Sequence, residues 1–201
     1  MNDAIAVAIT GASGAQYGLR LLECLLQAGR TVYLMVSQAG QIVINMETDL
    51  KLPGRSAEMQ SYLTEHFECR DGQLQVFGRQ QWMAPVASGT NPPQAMVVCP
   101  CTTGTLASIA HGICDDLIDR AADVALKEKR QLILVVRETP LSSIHLQNML
   151  TLSQAGAVIM PANPGFYFRP ESVGQLVDFM VARVLDHLQV PHELMARWGE
   201  D

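Results

Sequence analysis

A cation and a carboxylate stand together where an apolar run ends. Leu132 to Val136 is typical of a buried strand, and Arg137 and Glu138 follow it directly before Thr139-Pro140. In open α/β sheets, ligands bind beyond the carboxyl ends of the strands, beside helix N-termini. A guanidinium there can bind an anion, and a carboxylate can transfer a proton. The pattern predicts a reaction site, although an exposed ion pair of small energetic value would also explain it.

Small and hydroxylated residues follow three other apolar runs. They are Thr10 to Ala15, Ser37, and Pro100 to Thr105. Backbone N–H groups and hydroxyls in such turns donate hydrogen bonds to phosphate. The glycines of the first turn, at 11, 14 and 18, do not spell G-x-G-x-x-G, and Ser37 stands where a dinucleotide site needs an acidic residue. The pattern therefore favours a mononucleotide such as FMN, or else a tight strand-to-helix turn alone.

Three further cations lie in helical segments. Arg120 and Lys127 share one helix face with Asp123, at i, i+3 and i+7. That face binds an anion or is a solvated, salt-bridged surface. Arg183 lies on the flank of an apolar stripe, where an arginine extends to solvent or meets an anion.

Three aromatic residues, Trp82, Tyr167 and Trp198, fit two interpretations. They pack in the ordinary way, or they line an apolar cavity and stabilise a cation there.

Neither the acidic nor the cysteine pattern favours a metal site. Asp115 to Asp119 spells D-D-x-x-D, a motif that binds Mg²⁺ in prenyl diphosphate synthases, but it occurs once and precedes a helix. We expect Asp115 and Asp116 to charge and cap that helix. The five cysteines are odd in number and mostly lie in apolar runs, which indicates reduced core thiols.

Composition narrows the class of protein. The 201 residues suit one α/β domain over 1–201, and 48% are hydrophobic. A net charge of −6 argues against nucleic-acid binding. We see no leader segment and no apolar run of about 18 residues, so we expect a cytoplasmic protein without a membrane partner.

The elements that must position these residues alternate along the chain. Strands are predicted at 4–9, 31–37, 95–100, 131–136 and 156–161, with a weaker one at 73–78. Helices are predicted at 18–29, 38–46, 56–67, 103–112, 116–130, 142–155 and 171–188. This alternation predicts a three-layer, flavodoxin-like or Rossmann-like parallel sheet with helices on both faces.

Long motifs in a fixed order make the sequence resemble the UbiX-type flavin prenyltransferases. They are ITGASGAQYGLRLLECL, VSQAG before ETD, CPCTTGTLASIAHG, RAADVALKEKR, LVVRETPLSSIHLQNM, GAVIMPANPGFY and the late RVLD. The resemblance covers residues 4 to 198. It implies a closed homo-oligomer, typically a dodecamer, that uses reduced FMN and dimethylallyl phosphate. The implied product is FMN prenylated at N5 and C6, which serves a UbiD-type decarboxylase, in many bacteria on the ubiquinone pathway.

The resemblance also implies roles for individual residues. It places Gly11, Ala12, Ser13, Ser37, Thr102, Thr103, Gly104, Thr105 and Arg137 at FMN. It implies that Ser13, Glu47, Lys127 and Glu138 are catalytic. It implies that Arg120, Lys127, Tyr167, Arg183 and Trp198 bind the prenyl donor, partly from adjacent subunits. Many members have serine at Thr102 and a basic residue at Gly104, and we expect little effect from the first change.

Two other functions remain open on this fold. One is a flavin-dependent decarboxylase of cysteine-derived substrates, whose P-x-M-N-x-x-M-W signature the sequence lacks. The other is a non-catalytic FMN carrier, which would have no use for Glu138, Lys127 and Arg183 together.

Overall fold

Six parallel strands of the described residues form the centre of the molecule. The computed structural model describes residues 3–195 and 199. The strands are β1 (Ile5–Ile9), β2 (Val32–Val36), β3 (Leu74–Phe77), β4 (Ala95–Cys101), β5 (Gln131–Val136) and β6 (Val158–Ile159). Their order across the sheet is β3-β2-β1-β4-β5-β6, and every neighbouring pair is parallel. The order reverses between β1 and β4, which opens a crevice beyond the carboxyl ends of these strands.

Within the described part of the chain, seven α-helices cover the sheet. They are α1 (Ala15–Gln27), α2 (Gln38–Glu47), α3 (Ser56–His66), α4 (Thr103–Ala110), α5 (Leu117–Lys127), α6 (Ser143–Gln154) and α7 (Val173–His187). A short 3-10 turn, Pro85–Ala87, precedes β4. The predicted three-layer, flavodoxin-like architecture is confirmed.

Alternation along each strand builds two cores. Val7 and Ile9 face a core with α1, α2, α3 and α7, whereas Ala6 and Ala8 face the other with α4, α5 and α6. Because side chains of successive strand residues lie on opposite faces, a strand buried on both sides is apolar throughout. Burying one large aliphatic side chain contributes about 1.5–3 kcal/mol, so these two cores hold the helices in place.

The structure differs from the predicted elements mainly at their ends. β6 has two residues where the sequence predicted six, and the backbone of Met160 and Ala162 continues hydrogen bonding to β5. α1 begins at Ala15, three residues before the prediction, because Gly14 adopts a positive φ of 104° that ends the turn. Within the described residues, no helix combines the length and hydropathy needed to cross a membrane.

The cysteines are free thiols, as predicted. Cys24, Cys99 and Cys101 are buried, and Cys69 and Cys114 are partly exposed. Burial raises the pKa of the Cys101 thiol to about 12, so it stays protonated at neutral pH.

Candidate active site

Thr10 joins the turns that follow β1 and β4. Its buried hydroxyl donates to the Pro100 carbonyl at 2.7 Å and accepts from the Thr102 N–H at 2.9 Å. Both hydrogen-bonding functions of the hydroxyl are therefore used, which fixes the two turns to each other. Sequence analysis gave Thr10 no role of its own, although a hydroxyl directly after an apolar strand is a signal for such a link.

Arg137 brings the end of β5 to the same place. Its Nε donates to the Ser13 carbonyl at 3.0 Å, and its backbone N–H donates to the Cys101 carbonyl at 3.2 Å. Glu138 is exposed, and its carboxylate accepts from the Thr139 N–H at 3.0 Å. Among the described residues, no ion pair joins Arg137 to Glu138. The interpretation of Arg137 and Glu138 as a surface ion pair is therefore wrong.

Glu47 occupies the N-terminus of α1. The N-cap residue Gly14 has no side chain, and Glu47 Oε2 accepts from the Gly14 N–H at 2.8 Å and the Ala15 N–H at 2.9 Å. The Ser13 side chain also hydrogen-bonds this carboxylate. Burial alone would raise the pKa of Glu47, but these three hydrogen bonds and nearby Arg137 outweigh it and hold the pKa below its usual value. Glu47 is thus an anion at neutral pH.

This contact of Glu47 removes the N-terminus of α1 from the predicted phosphate site. A carboxylate already binds the first N–H groups of α1, so the first turn is not the place for a phosphate. The sequence contained a signal for it, because α1 has no acidic residue in its first turn and no side-chain cap of its own. The uncapped N–H groups were therefore open to an anion, and Glu47 supplies it.

Helices α2 and α4 present hydroxyl-capped N-termini. Ser37 Oγ accepts from the Gly40 N–H at 2.9 Å, and Thr102 Oγ1 accepts from the Thr105 N–H at 3.1 Å. Thr102 Oγ1 also donates to Thr105 Oγ1 at 3.0 Å. Helix N-termini with hydroxyls bind phosphate well, so this donor set suits a mononucleotide.

The glycines and small residues of these turns allow close backbone approach. A Cβ at Gly11 would lie inside contact distance of the Ala39 Cβ, so the first turn packs directly against the start of α2. Ala12 is buried. Thr103 and Gly104 form the first turn of α4, and the nearest atom to a Cβ at Gly104 would be Thr102 Oγ1 at 3.8 Å. The strand ends therefore leave room for a flat ligand near α4.

A cavity of about 450 Å³ adjoins Arg137 and Glu138. Its other lining residues are mostly apolar: Val136, Thr139, Leu141, Met149, Pro161, Ala162 and Asn163. An apolar wall beside a guanidinium and a carboxylate can hold a small organic group next to the groups that would act on it.

The three helical cations lie elsewhere in the chain. Arg120 contacts Asp123 at 2.8 Å and the Ala87 carbonyl at 3.0 Å, and Lys127 contacts Glu128 at 2.5 Å. Helix α5, which carries both cations, packs on one face of the sheet, whereas α7 with Arg183 packs on the other. One chain therefore does not bring these cations together at Glu138, and each has a local carboxylate partner, Asp186 in the case of Arg183.

The two aromatic candidates that the structure describes, Tyr167 and Trp82, lie in different loops. Tyr167 is 59% exposed and lies edge-on to Phe168 and Phe179, with centroids 5.9 Å away in each case. Trp82 lies in the loop after β3, and its indole N–H donates to Gln80 Oε1 at 3.1 Å. Trp198 lies outside the described residues.

The D-D-x-x-D motif caps a helix. Asp116 is the N-cap of α5, and its Oδ1 accepts from the N–H groups of Ile118 and Asp119. This confirms the predicted role for Asp116. Burial, and then the neighbouring carboxylates of Asp116 and Asp115, raise the pKa of Asp119 to about 6. Within 3–195 and 199, no group of three His, Cys, Asp or Glu side chains could hold a metal ion.

Comparison with known proteins agrees with this geometry. The family model described as Flavoprotein matches residues 1–185. A protein of Pseudomonas aeruginosa named flavin prenyltransferase UbiX is 58% identical over 198 residues, which are 98% of this chain and 95% of that protein.

Solved structures agree as well. The crystal structure of AnUbiX in complex with FMN and dimethylallyl pyrophosphate superposes with a TM-score of 0.87, at 39% identity and 100% coverage of both chains. A dodecameric FMN-dependent UbiX-like decarboxylase from Escherichia coli O157:H7 gives 0.85 at 37% identity, covering 97% of this chain and 98% of that one. The chain therefore belongs to the flavoprotein family, and within it to the UbiX flavin prenyltransferases.

Proposed function

We propose that this protein transfers a dimethylallyl group from dimethylallyl phosphate to N5 and C6 of reduced FMN. The observation that carries the proposal is the meeting of Ser13, Glu47 and Arg137 at the ends of β1 and β5, with Glu138 beside them. An FMN carrier has no need of a carboxylate beside an apolar cavity. Membership of the UbiX family supports a transferase rather than a carrier.

FMN would lie across the carboxyl ends of β1, β2 and β4. The N-termini of α2 and α4 would hold its phosphate through Ser37 and Thr102 to Thr105, since Glu47 takes the N-terminus of α1. Gly11, Ala12 and Ser13 would contact the flavin, and Arg137 would complete that site. When bound, reduced FMN supplies the nucleophilic nitrogen and ring carbon.

The protein side chains would handle charge and protons. Breaking the allylic C–O bond leaves its electron pair on the phosphate, which gains negative charge. Arg120, Lys127 and Arg183 would stabilise that charge, and the face of Tyr167 or Trp198 would tolerate the allylic cation. Glu138 would move a proton between the flavin and the phosphate, and Glu47 would hold Ser13 beside the reacting nitrogen.

A site of this kind needs more than one chain. Helix α5, with Arg120 and Lys127, lies on one face of the sheet and α7, with Arg183, on the other, and this supports a phosphate site built by neighbouring subunits. The dodecameric relative supports a closed homo-oligomer, and we propose twelve subunits here. We also propose that 1–201 forms a single flavin-binding domain, that the protein works in the cytoplasm, and that its product passes to a UbiD-type decarboxylase.

The decisive experiment mixes the protein with reduced FMN and a donor without oxygen, then measures the mass of the flavin. We expect one added C5 unit with dimethylallyl phosphate, a lower yield with the diphosphate, and no loss in excess EDTA. The diphosphate in AnUbiX makes the comparison of donors necessary. An unmodified flavin would contradict the proposal, and decarboxylation of a peptide C-terminal cysteine would favour the decarboxylase instead. Strict Mg²⁺ dependence with the diphosphate would contradict the metal-free site.

A further inference from the structure

Arg183 belongs to a chain of three polar side chains at the end of α7. Its Nη1 donates to Asp186 Oδ2 at 2.8 Å, and the other oxygen of Asp186 lies 3.1 Å from His192 Nε2. The Leu194 N–H donates to His192 Nδ1 at 3.4 Å. Because Nδ1 accepts, Nε2 carries the proton and donates to Asp186. Each oxygen of the Asp186 carboxylate thus has a donor of its own.

Two features distinguish this hydrogen-bonded row of Arg183, Asp186 and His192 from an ordinary surface ion pair. The imidazole of His192 is only 9% exposed, whereas the Asp186 side chain is 36% exposed, so the histidine is the buried partner of this contact. Asp186 also lies in the last turn of α7, where the helix dipole disfavours a carboxylate. The Arg183 and His192 side chains donate to its two oxygens, and these contacts offset that cost.

We infer that Asp186 and His192 are positioning residues that hold the Arg183 guanidinium ready for the phosphate of the prenyl donor. The inference rests on the proposed function, in which Arg183 meets that phosphate. Arg183 is 50% exposed, and the contact with Asp186 uses Nη1 alone. A guanidinium has five N–H donors in a rigid plane, so fixing one edge aims the remaining donors at an oxyanion.

The same helix offers a matched control. Asp178 Oδ1 accepts from Arg20 Nε at 2.7 Å, an arginine–aspartate contact of similar length that joins α7 to α1. Asp178→Asn removes a comparable ion pair from α7 and leaves Arg183 untouched. General damage to α7 would appear in both variants, whereas loss of positioning would appear only in Asp186→Asn.

The experiment compares steady-state kinetics of Asp186→Asn and Asp178→Asn, with melting temperature and light scattering to confirm fold and assembly. For Asp186→Asn we expect the KM for dimethylallyl phosphate to rise roughly fivefold to tenfold, because a long side chain must be ordered at binding. The KM for FMN and kcat should change less than about twofold. His192→Leu should follow Asp186→Asn, and His192→Gln, which keeps an N–H donor, should restore most of the loss.

A double variant tests whether Asp186 acts through Arg183. Adding Asp186→Asn to Arg183→Ala should raise the KM for dimethylallyl phosphate no further, since coupled residues are non-additive. Additive effects, equal behaviour of Asp186→Asn and Asp178→Asn, or a parallel rise in the KM for FMN would each overturn the inference. So would a normal donor KM in Arg183→Ala, while prenylated flavin still formed. Absence of prenylated flavin from the wild-type protein would instead overturn the proposed function.

Discussion

At the scale of single residues, Arg137 and Glu138 are neighbours in sequence with separate contacts. The guanidinium of Arg137 is fixed on the Ser13 carbonyl, whereas the Glu138 carboxylate meets only the N–H of Thr139 among its described hydrogen bonds. Arg137 therefore fixes the turn at Ser13, which we propose to be part of the flavin site. The exposed Glu138 carboxylate remains available for chemistry at the adjoining cavity.

Replacing Glu138 with glutamine should separate binding from catalysis. Glutamine keeps the size and one acceptor but cannot carry the proton, so we expect turnover to fall about 10²–10⁴-fold. FMN affinity should stay within about twofold, since Arg137 and the helix N-termini are unchanged. Stopped-time mass analysis of the flavin gives turnover, and equilibrium dialysis gives affinity. If Glu138→Gln turns over as fast as wild type, Glu138 has no catalytic role.

Glu47 should stabilise the fold in a pH-dependent way. Its pKa is lowered in the folded state, so its stabilisation is present above the ordinary glutamate pKa of about 4.3 and is lost as pH falls through the folded value. We expect Glu47→Gln to cost about 1 kcal/mol at pH 7, the size of a helix cap, with solvent screening limiting the charged part.

Urea unfolding of wild type and Glu47→Gln at several pH values measures this difference. The gap in unfolding free energy should narrow towards acid, because the wild-type carboxylate is then protonated. Glu65→Gln, at an exposed position on α3, is the control. A gap that does not change with pH would show that the charge of Glu47 does not stabilise α1.

At the scale of elements, the close approach of the α1 backbone to the β4 backbone determines how α1 packs on the sheet. A Cβ at Gly18 would lie inside contact distance of the Cys99 carbonyl oxygen and close to Ile9. The first turn of α1 therefore touches the end of β4, which is how the turns after β1 and β4 come to share one site. Glycine is required here for space, because its φ is not in the left-handed region.

Gly18→Ala should destabilise the protein although alanine is the better helix former. Alanine gains about 1 kcal/mol of helix propensity, but displacing α1 from a backbone carbonyl should cost more, for a net loss of about 1–2 kcal/mol. FMN affinity should fall with it, because the turns move apart. Gly54→Ala has nothing within 4 Å of its Cβ and should stay within about 0.5 kcal/mol. Thermal melting and dialysis measure both variants, and an unchanged Gly18→Ala protein would contradict this account.

The sequence predicted elements better than contacts. Apolar strand runs bounded by glycine and hydroxyl residues placed β1, β2, β4 and β5 within one or two residues, because burial on both faces leaves a plain pattern. The contacts of Glu47 with α1 and of Thr10 with Pro100 join residues 33 and 90 positions apart. No local period encodes such contacts. Arg120 and Arg183 each pair with an aspartate three residues later in the sequence. Oppositely charged residues at that spacing occur both on solvated helix surfaces and at binding sites, so the sequence does not distinguish the two.

At the scale of the whole molecule, the sheet separates the groups that would act on the donor. Glu138 follows β5 at the carboxyl edge, Lys127 ends the helix that precedes β5, and Arg183 lies on α7 across the sheet. A helix before a parallel strand runs antiparallel to it, so Lys127 lies towards the amino edge. This placement of β5, α5 and α7 keeps the three side chains apart within one chain.

Mixed oligomers should therefore recover activity from two inactive chains. At a low concentration of dimethylallyl phosphate, well below the donor KM of Arg183→Ala, we expect the Glu138→Gln and Arg183→Ala proteins each to have little activity alone. Suppose that each site takes Glu138 from one chain and Arg183 from another. With equal co-expression, half of the sites receive an intact Glu138 and half receive an intact Arg183, so about a quarter receive both and about a quarter of wild-type activity should return. Two affinity tags isolate the mixed species, and light scattering confirms its size. A chain carrying both changes, co-expressed with itself under both tags, is the control. If the mixed oligomers stay inactive, both residues serve the site from the same chain, and the arrangement across subunits is wrong.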